Sequence, residues 1–121
     1  MVRGAMVSGL KRLPLQFWRS SAGREPTRDW FRQLDRDDRA VVGDDLRRIQ
    51  FGWPVGMPLV RPLSGGLWEL RSSFRSKREA LVLFAVDAER IAVLHGFIKK
   101  TQKTPPRDLA LARKRLKEML P

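Results

Sequence analysis

"LWELRSSFRSKREALVLFAVDAERIAVLHGFI", residues 67–98, is the stretch that decides the fold. Over residues 67–73 the side chains alternate, with Leu67, Glu69 and Arg71 on one side and Trp68 and Leu70 on the other. That is the period of a strand. Residues 80–86, "ALVLFAV", form an unbroken apolar run, as expected of a central strand covered on both faces. "VDAER" supplies a hairpin turn, and "IAVLHGFI", residues 91–98, is the next strand. Short turns between three consecutive strands predict an antiparallel core.

Upstream the period changes. "LPLQFW", residues 13–18, places Leu13, Leu15 and Phe17 on one face of a short strand. A turn-rich segment follows, and Pro26 falls in the first turn of a helix whose buried stripe is Trp30, Phe31 and Leu34. Asp35 stands where a second helix needs a cap, and Val42, Leu46 and Ile49 share a face of it. Gly52 ends that helix and Pro54 forbids its continuation. Residues 52–66, "GWPVGMPLVRPLSGG", read as a Gly/Pro-rich connector. Downstream, Thr104 is a candidate cap with Pro105 at the first helical position. Leu109, Ala112, Leu116 and Met119 line the inner face of this last helix, and Lys114, Arg115 and Lys117 suit its C-terminal dipole end. The order β-α-α-β-β-β-α predicts an α+β fold, helices packed against a mostly antiparallel sheet. Residues 1–9 are expected to be a flexible leader, and residues 10–121 one domain.

The 121 residues carry a net charge of +12 with no cysteine. Lys and Arg total 25 against 13 acids, and the excess favours a polyanionic partner. It lies mainly in the second half, where residues 61–121 hold 14 basic and 6 acidic side chains. Disulfides, thiol chemistry and thiolate metal sites are excluded. No apolar run approaches the roughly 20 residues that span a bilayer, and the N-terminus makes a poor signal peptide, so a cytoplasmic protein is expected.

His95 is the single histidine, which excludes a two-histidine ribonuclease site. The second-half acids are scattered among bases, a poor setting for two catalytic metals. "SGG", residues 64–66, precedes a strand and reads as a turn, not as a phosphate loop. Neither metal nor cofactor is expected. Chemistry on a phosphodiester would then fall to Lys, Arg and at most one carboxylate. Such a site is feasible on RNA, whose 2′-hydroxyl is a built-in nucleophile. A lysine desolvated or crowded by cations can take a proton, and an arginine fork matches a phosphate.

"GLWELR", the strand after it, "VLHGFIKKTQKTP" and "RDLALARKR" together resemble the phage-derived toxin branch of the RelE/HigB superfamily. "LRRIQFGWPVGMPLVRPL" is similar to the same family's region between second helix and sheet. The resemblance runs from about residue 12 to 120. It implies a RelE-like fold and a toxin of a type II toxin–antitoxin system that cuts messenger RNA on the ribosome and so inhibits translation. It also implies a cognate antitoxin, commonly a helix-turn-helix protein.

Carried over to this chain, the resemblance makes Arg71 the residue that holds the scissile phosphate; Glu69, on the same side of the strand, is a candidate to orient it or take a proton, or simply to form an ion pair with it. Lys99 and Lys100 match the family's basic residues after the last strand, and alternation sends them to opposite faces. Lys99 shares parity with His95 and Phe97. Phe97 is a candidate for stacking on a base, and His95 for acid–base work or a polar bridge at the sheet edge. Arg61, Arg75, Lys77 and Arg78, in connectors around the sheet, are candidate RNA contacts, as are Thr101 and Lys103. One position departs from the pattern: many relatives carry a basic residue in the central strand where this chain has Leu81. Arg78, three residues earlier, would face the other way. Two alternatives stay open: a related toxin that acts without cutting RNA, for example on DNA gyrase, and a weakened relative serving as an antitoxin-binding co-repressor.

Overall fold

The computed structural model describes residues 12–119, so the expected leader, residues 1–9, lies outside the described residues. The elements are β1 (Leu15–Phe17), α1 (Pro26–Gln33), α2 (Arg36–Gly52), β2 (Val60–Pro62), β3 (Trp68–Ser73), β4 (Glu79–Val86), β5 (Ile91–Ile98) and α3 (Pro106–Met119). The strands form one sheet in the order β1-β5-β4-β3-β2. β1 pairs with β5 in parallel and every other pairing is antiparallel. The chain thus starts at one edge, crosses over one face through α1 and α2, and re-enters at the opposite edge as β2.

The apolar alternation read from the sequence places two clusters on the two faces of the sheet. Val42, Leu46 and Ile49 of α2 are buried against Val60, Leu70, Val82, Phe84 and Val93, with Trp30, Phe31 and Leu34 packed at the margin. On the other face Ala112, Leu109 and Leu116 of α3 cover Leu67, Leu83, Ala85, Ala92 and Leu94. β4 is therefore covered on both sides, which is what its unbroken apolar run requires. The result is an α+β sandwich with helices on both faces of a mostly antiparallel sheet.

Between β4 and β5 the register shifts by one residue at Leu83/Phe84, leaving Leu94 as the extra residue of a bulge. Its carbonyl accepts from Thr27 Oγ1 at 3.3 Å and from an Arg115 guanidinium nitrogen at 2.8 Å, so helices on both faces grip the irregularity. Two residues on, Gly96 faces Trp30 of α1. A Cβ there would overlap the indole ring, so the close approach of α1 to the sheet depends on that glycine. Between α2 and β3 the buried Ser72 donates to Asp45 Oδ2 at 2.8 Å. Burial pushes the Asp45 carboxyl above its usual 3.8, against the opposing pull of Ser72 and Arg48.

Two expectations are corrected, on the connector and on the last helix. The connector contains a strand, β2, because Val60, Arg61 and Pro62 find partners in Leu70, Glu69 and Trp68 across the ladder. "SGG" is the turn its sequence predicts, a short 3-10 turn in which Gly65 has φ 74, a left-handed conformation that glycine takes without strain. The last helix begins at Pro106, one residue late, and the Pro105 carbonyl accepts its first bonds from Asp108 and Leu109 at 3.0 and 3.2 Å. Thr104, expected as the cap, is engaged elsewhere. Asp35 does occupy the N-cap position of α2, but its side chain makes no cap bond.

Candidate functional site

α3 covers only part of its face of the sheet. Beyond its first turn the ladder brings a set of polar residues together on that face, and the register fixes which they are. Arg61 is opposite Glu69, Glu69 opposite Leu83 and Leu83 opposite His95. In the next row Arg71 is opposite Leu81 and Leu81 opposite Phe97. Ser73 and Glu79 follow, and the Lys99 N–H donates to the Glu79 carbonyl at 2.7 Å.

Glu69 is the centre of this set. It is 1% exposed, and an isolated buried carboxylate is costly unless it is paired and hydrogen-bonded. Three groups meet it. Thr104 Oγ1 donates to Oε2 at 2.5 Å, and guanidinium nitrogens of Arg61 and Arg71 lie 3.5 and 3.6 Å from Oε1. The two arginine side chains remain 45% and 35% exposed. Each is held by one side to a buried anion while the rest of the fork faces solvent. Between them is a hollow of about 140 Å³ lined by Met57, Pro58, Arg61, Glu69 and Arg71. Two guanidinium groups converging on a concavity with one shared counter-ion form a receptor for a second anion, and their planar forks match phosphate oxygens.

Lys99 and Lys100 follow the end of β5 at Ile98, beyond the strand whose alternation was expected to separate them, and they differ in burial. Lys99 Nζ lies 3.4 Å from Glu79 Oε1 with its side chain 16% exposed, on the face that carries Arg71 and Phe97. A carboxylate, not a crowd of cations, is its neighbour. Lys100 is exposed. The loop after it is pinned by Thr101 Oγ1 donating to the Lys103 carbonyl at 2.6 Å, and Lys103 is exposed.

His95 Nε2 is 2.6 Å from Asp108 Oδ1 in the first turn of α3, and its ring stacks on Phe97 with centroids 5.3 Å apart. With Asp108 accepting, Nε2 carries the hydrogen. The imidazole is therefore a bridge from strand to helix at the part of β5 that runs past β1. Phe97 is half-buried at the edge of the α3 cluster.

The remaining candidates are elsewhere. Arg75 and Lys77 are in the β3–β4 turn, where Lys77 has φ 69. Arg78 donates to Asp38 of α2 at 2.8 Å and leans over Phe74, on the face opposite Arg71. It does not replace the missing strand cation. Leu81 is 1% exposed between the registers of Arg71 and Phe97. Arg61 is no connector residue but the β2 partner of Glu69. Sequence reasoning misses Glu79, Met57 and Asp108 and misassigns Thr104. Glu79 is signalled only by the pairing register, and Met57, Thr104 and Asp108 only by how connector, loop and helix pack on the sheet, neither of which a single chain reveals. Among the described residues no group of three His, Asp or Glu stands close enough to hold a metal ion, and no helix is long and apolar enough to cross a membrane.

A small α+β domain with a cation-lined hollow at the open end of its sheet defines the class by fold and site. Residues 29–117 match the family described as "Phage derived protein Gp49-like", and the chain belongs to that family. No curated protein matches it.

Proposed function

We propose that the chain is the toxin of a type II toxin–antitoxin system of the RelE/HigB kind, an endoribonuclease that cuts ribosome-bound messenger RNA without a metal. The observation that carries this reading is the pair Arg61 and Arg71, aligned on buried Glu69 at the lip of a concave, cation-lined face. Membership of a phage-derived family and the order of elements agree with it. In this reading the two arginines bind the non-bridging oxygens of one phosphate. The 2′-oxygen bonds to phosphorus, the bond to the 5′-oxygen breaks, and the guanidinium groups stabilise the charge that accumulates. Lys99 exchanges Glu79 for the phosphate, and Lys100 holds the flanking backbone. His95, oriented by Asp108, moves the proton from the 2′-hydroxyl toward the leaving 5′-oxygen. Phe97 supports a base.

The partners in this account are the ribosome with its message and a cognate helix-turn-helix antitoxin. An acidic segment of such an antitoxin complements the +12 charge. A second reading, a toxin of the same fold that does not cut RNA, is favoured by one observation: Leu81 is buried where relatives carry a cation.

Expression in cells, with primer extension on translated messages from lysates containing EDTA, separates the two. The endonuclease reading expects translation to halt and cuts to appear within translated regions. Intact messages beside broken DNA would transfer the assignment to a gyrase-directed toxin, and absence of any growth arrest would favour a co-repressor.

A further inference from the structure

The outward face of α3 has no role in the site described above, yet it carries three exposed cations. Arg107, Lys114 and Lys117 are exposed, and at about 100° per residue they fall with Ala110 within one stripe. None of the three has a carboxylate within ion-pair distance among the described residues. The acids of the same helix are both occupied: Asp108 by His95 and Glu118 by the Trp18 indole N–H at 3.1 Å. The other arginines of α3 are occupied too. Arg113 donates to Ser64 at 2.7 and 3.0 Å, and Arg115 donates to the Leu94 carbonyl while stacking on Trp18 at 4.3 Å. The helix thus uses two cations to fasten itself to the domain and leaves three in water along one line.

The stripe leads back to the candidate site. Exposed Lys100 and Lys103 precede α3, in the loop that joins it to the strand of Phe97. From Arg107 to Lys117 is about 15 Å along the helix axis at 1.5 Å per residue. That length is long enough to meet more than one phosphate of a strand lying along it. Isolated surface lysines are ordinary, but an aligned, unpaired set along one helix is suited to a polyanion held lengthwise.

We propose that the α3 ridge, Arg107, Lys114 and Lys117 continued by Lys103 and Lys100, is a track for the phosphodiester backbone of RNA, separate from the Arg61/Arg71 hollow. Its recognition is by charge and spacing and carries no base preference. The proposal rests on the RNA reading of the hollow only for the direction in which the strand runs, because the track binds whether or not the hollow cuts.

The test is binding of a labelled single-stranded 20-mer RNA to an Arg71→Ala background, in which any cleavage is expected to be about 10²–10³-fold slower. Affinity is titrated from 50 to 200 mM salt. Adding Arg107→Gln, Lys114→Gln and Lys117→Gln is expected to lower affinity at least tenfold at 100 mM. It should also make the slope of log K against log salt shallower by about 2, at roughly 0.7 for each phosphate no longer neutralised. Arg24→Gln, Arg32→Gln and Arg36→Gln remove the same charge from exposed positions in and before the other helices, and this triple should change the slope by less than about 0.5. Glutamine is a good helix former, and unchanged melting temperatures confirm that both triples fold. Equal losses in the two triples would reduce the track to net charge and overturn it. So would an α3 triple that binds RNA as its background does, including one that instead loses a partner protein. Cleavage by the otherwise wild-type α3 triple is scored separately, so failure of the track and failure of the nuclease reading give different results.

Discussion

Glu69 is the side chain on which the account turns. It is buried, it takes a short bond from Thr104, and two arginines face each other across it. Removing its charge leaves the arginines without a shared anion. Glu69→Gln is therefore expected to reduce RNA cleavage by about two orders of magnitude, comparable with loss of a charge-stabilising donor. It should destabilise the fold by only about 1–3 kcal/mol, because both arginines can re-solvate. Measured kcat and denaturant midpoints on one preparation check both numbers. Asp45 is a second residue with a readable consequence. Its folded pKa is raised above 3.8 by burial, so the folded state binds protons more tightly than the unfolded chain. The resulting stabilisation is complete below pH about 3.8 and is lost as the pH rises through the raised value. Asp45→Asn keeps an acceptor for Ser72 and should flatten that part of the pH–stability curve, measured by urea unfolding between pH 3.5 and 7. A variant with an unchanged pH slope would show that Asp45 is not its source.

At the scale of elements, the sequence is informative where a pattern repeats within one segment. The period of two in β3, the unbroken apolar run of β4 and the stripe Val42, Leu46, Ile49 of α2 all follow from packing of each element against a whole face. β2 is illegible for the opposite reason. Three residues ending in proline carry no period, and they become a strand only because Leu70, Glu69 and Trp68 are there to pair with them. Lys99 illustrates a subtler loss. Val86 pairs with Ile91, and without the bulge the same register would set Glu79 opposite Ile98. The extra residue at Leu94 moves Glu79 to Lys99 instead. A one-residue slip exchanges the faces of a strand, so the ion pair of the site depends on an irregularity the sequence does not announce. Gly96 belongs to the same region. Gly96→Ala drives a methyl into the Trp30 ring, and overpacking of this kind typically costs about 1–3 kcal/mol. A lower thermal midpoint with Gly96→Ala, restored by Trp30→Leu in the same chain, is the expected result. An unaltered midpoint would mean that α1 does not need the close approach.

At the scale of the molecule, two apolar clusters and a sheet crossed from edge to edge leave one open corner, and the cations gather there. Net charge in the second half is consistent with that corner, and the resemblance names Arg71 and Lys99 within it. What neither supplies is the arrangement: Arg61 beside Arg71, Lys99 tied to Glu79, and His95 tied to Asp108. These are relations between segments distant in the chain, so they are properties of the packed domain. The central claim, that the Arg61/Arg71 hollow is a phosphate-binding site used to cut RNA, is tested most directly in a reconstituted translation reaction. Purified protein is added to programmed ribosomes, and cut ends are mapped over time for the wild type and for Arg71→Ala. The account predicts discrete cuts within the translated region by the wild type and a rate about 10²–10³-fold lower for Arg71→Ala. Cuts at the wild-type rate by Arg71→Ala, or intact message with the wild type, would contradict it.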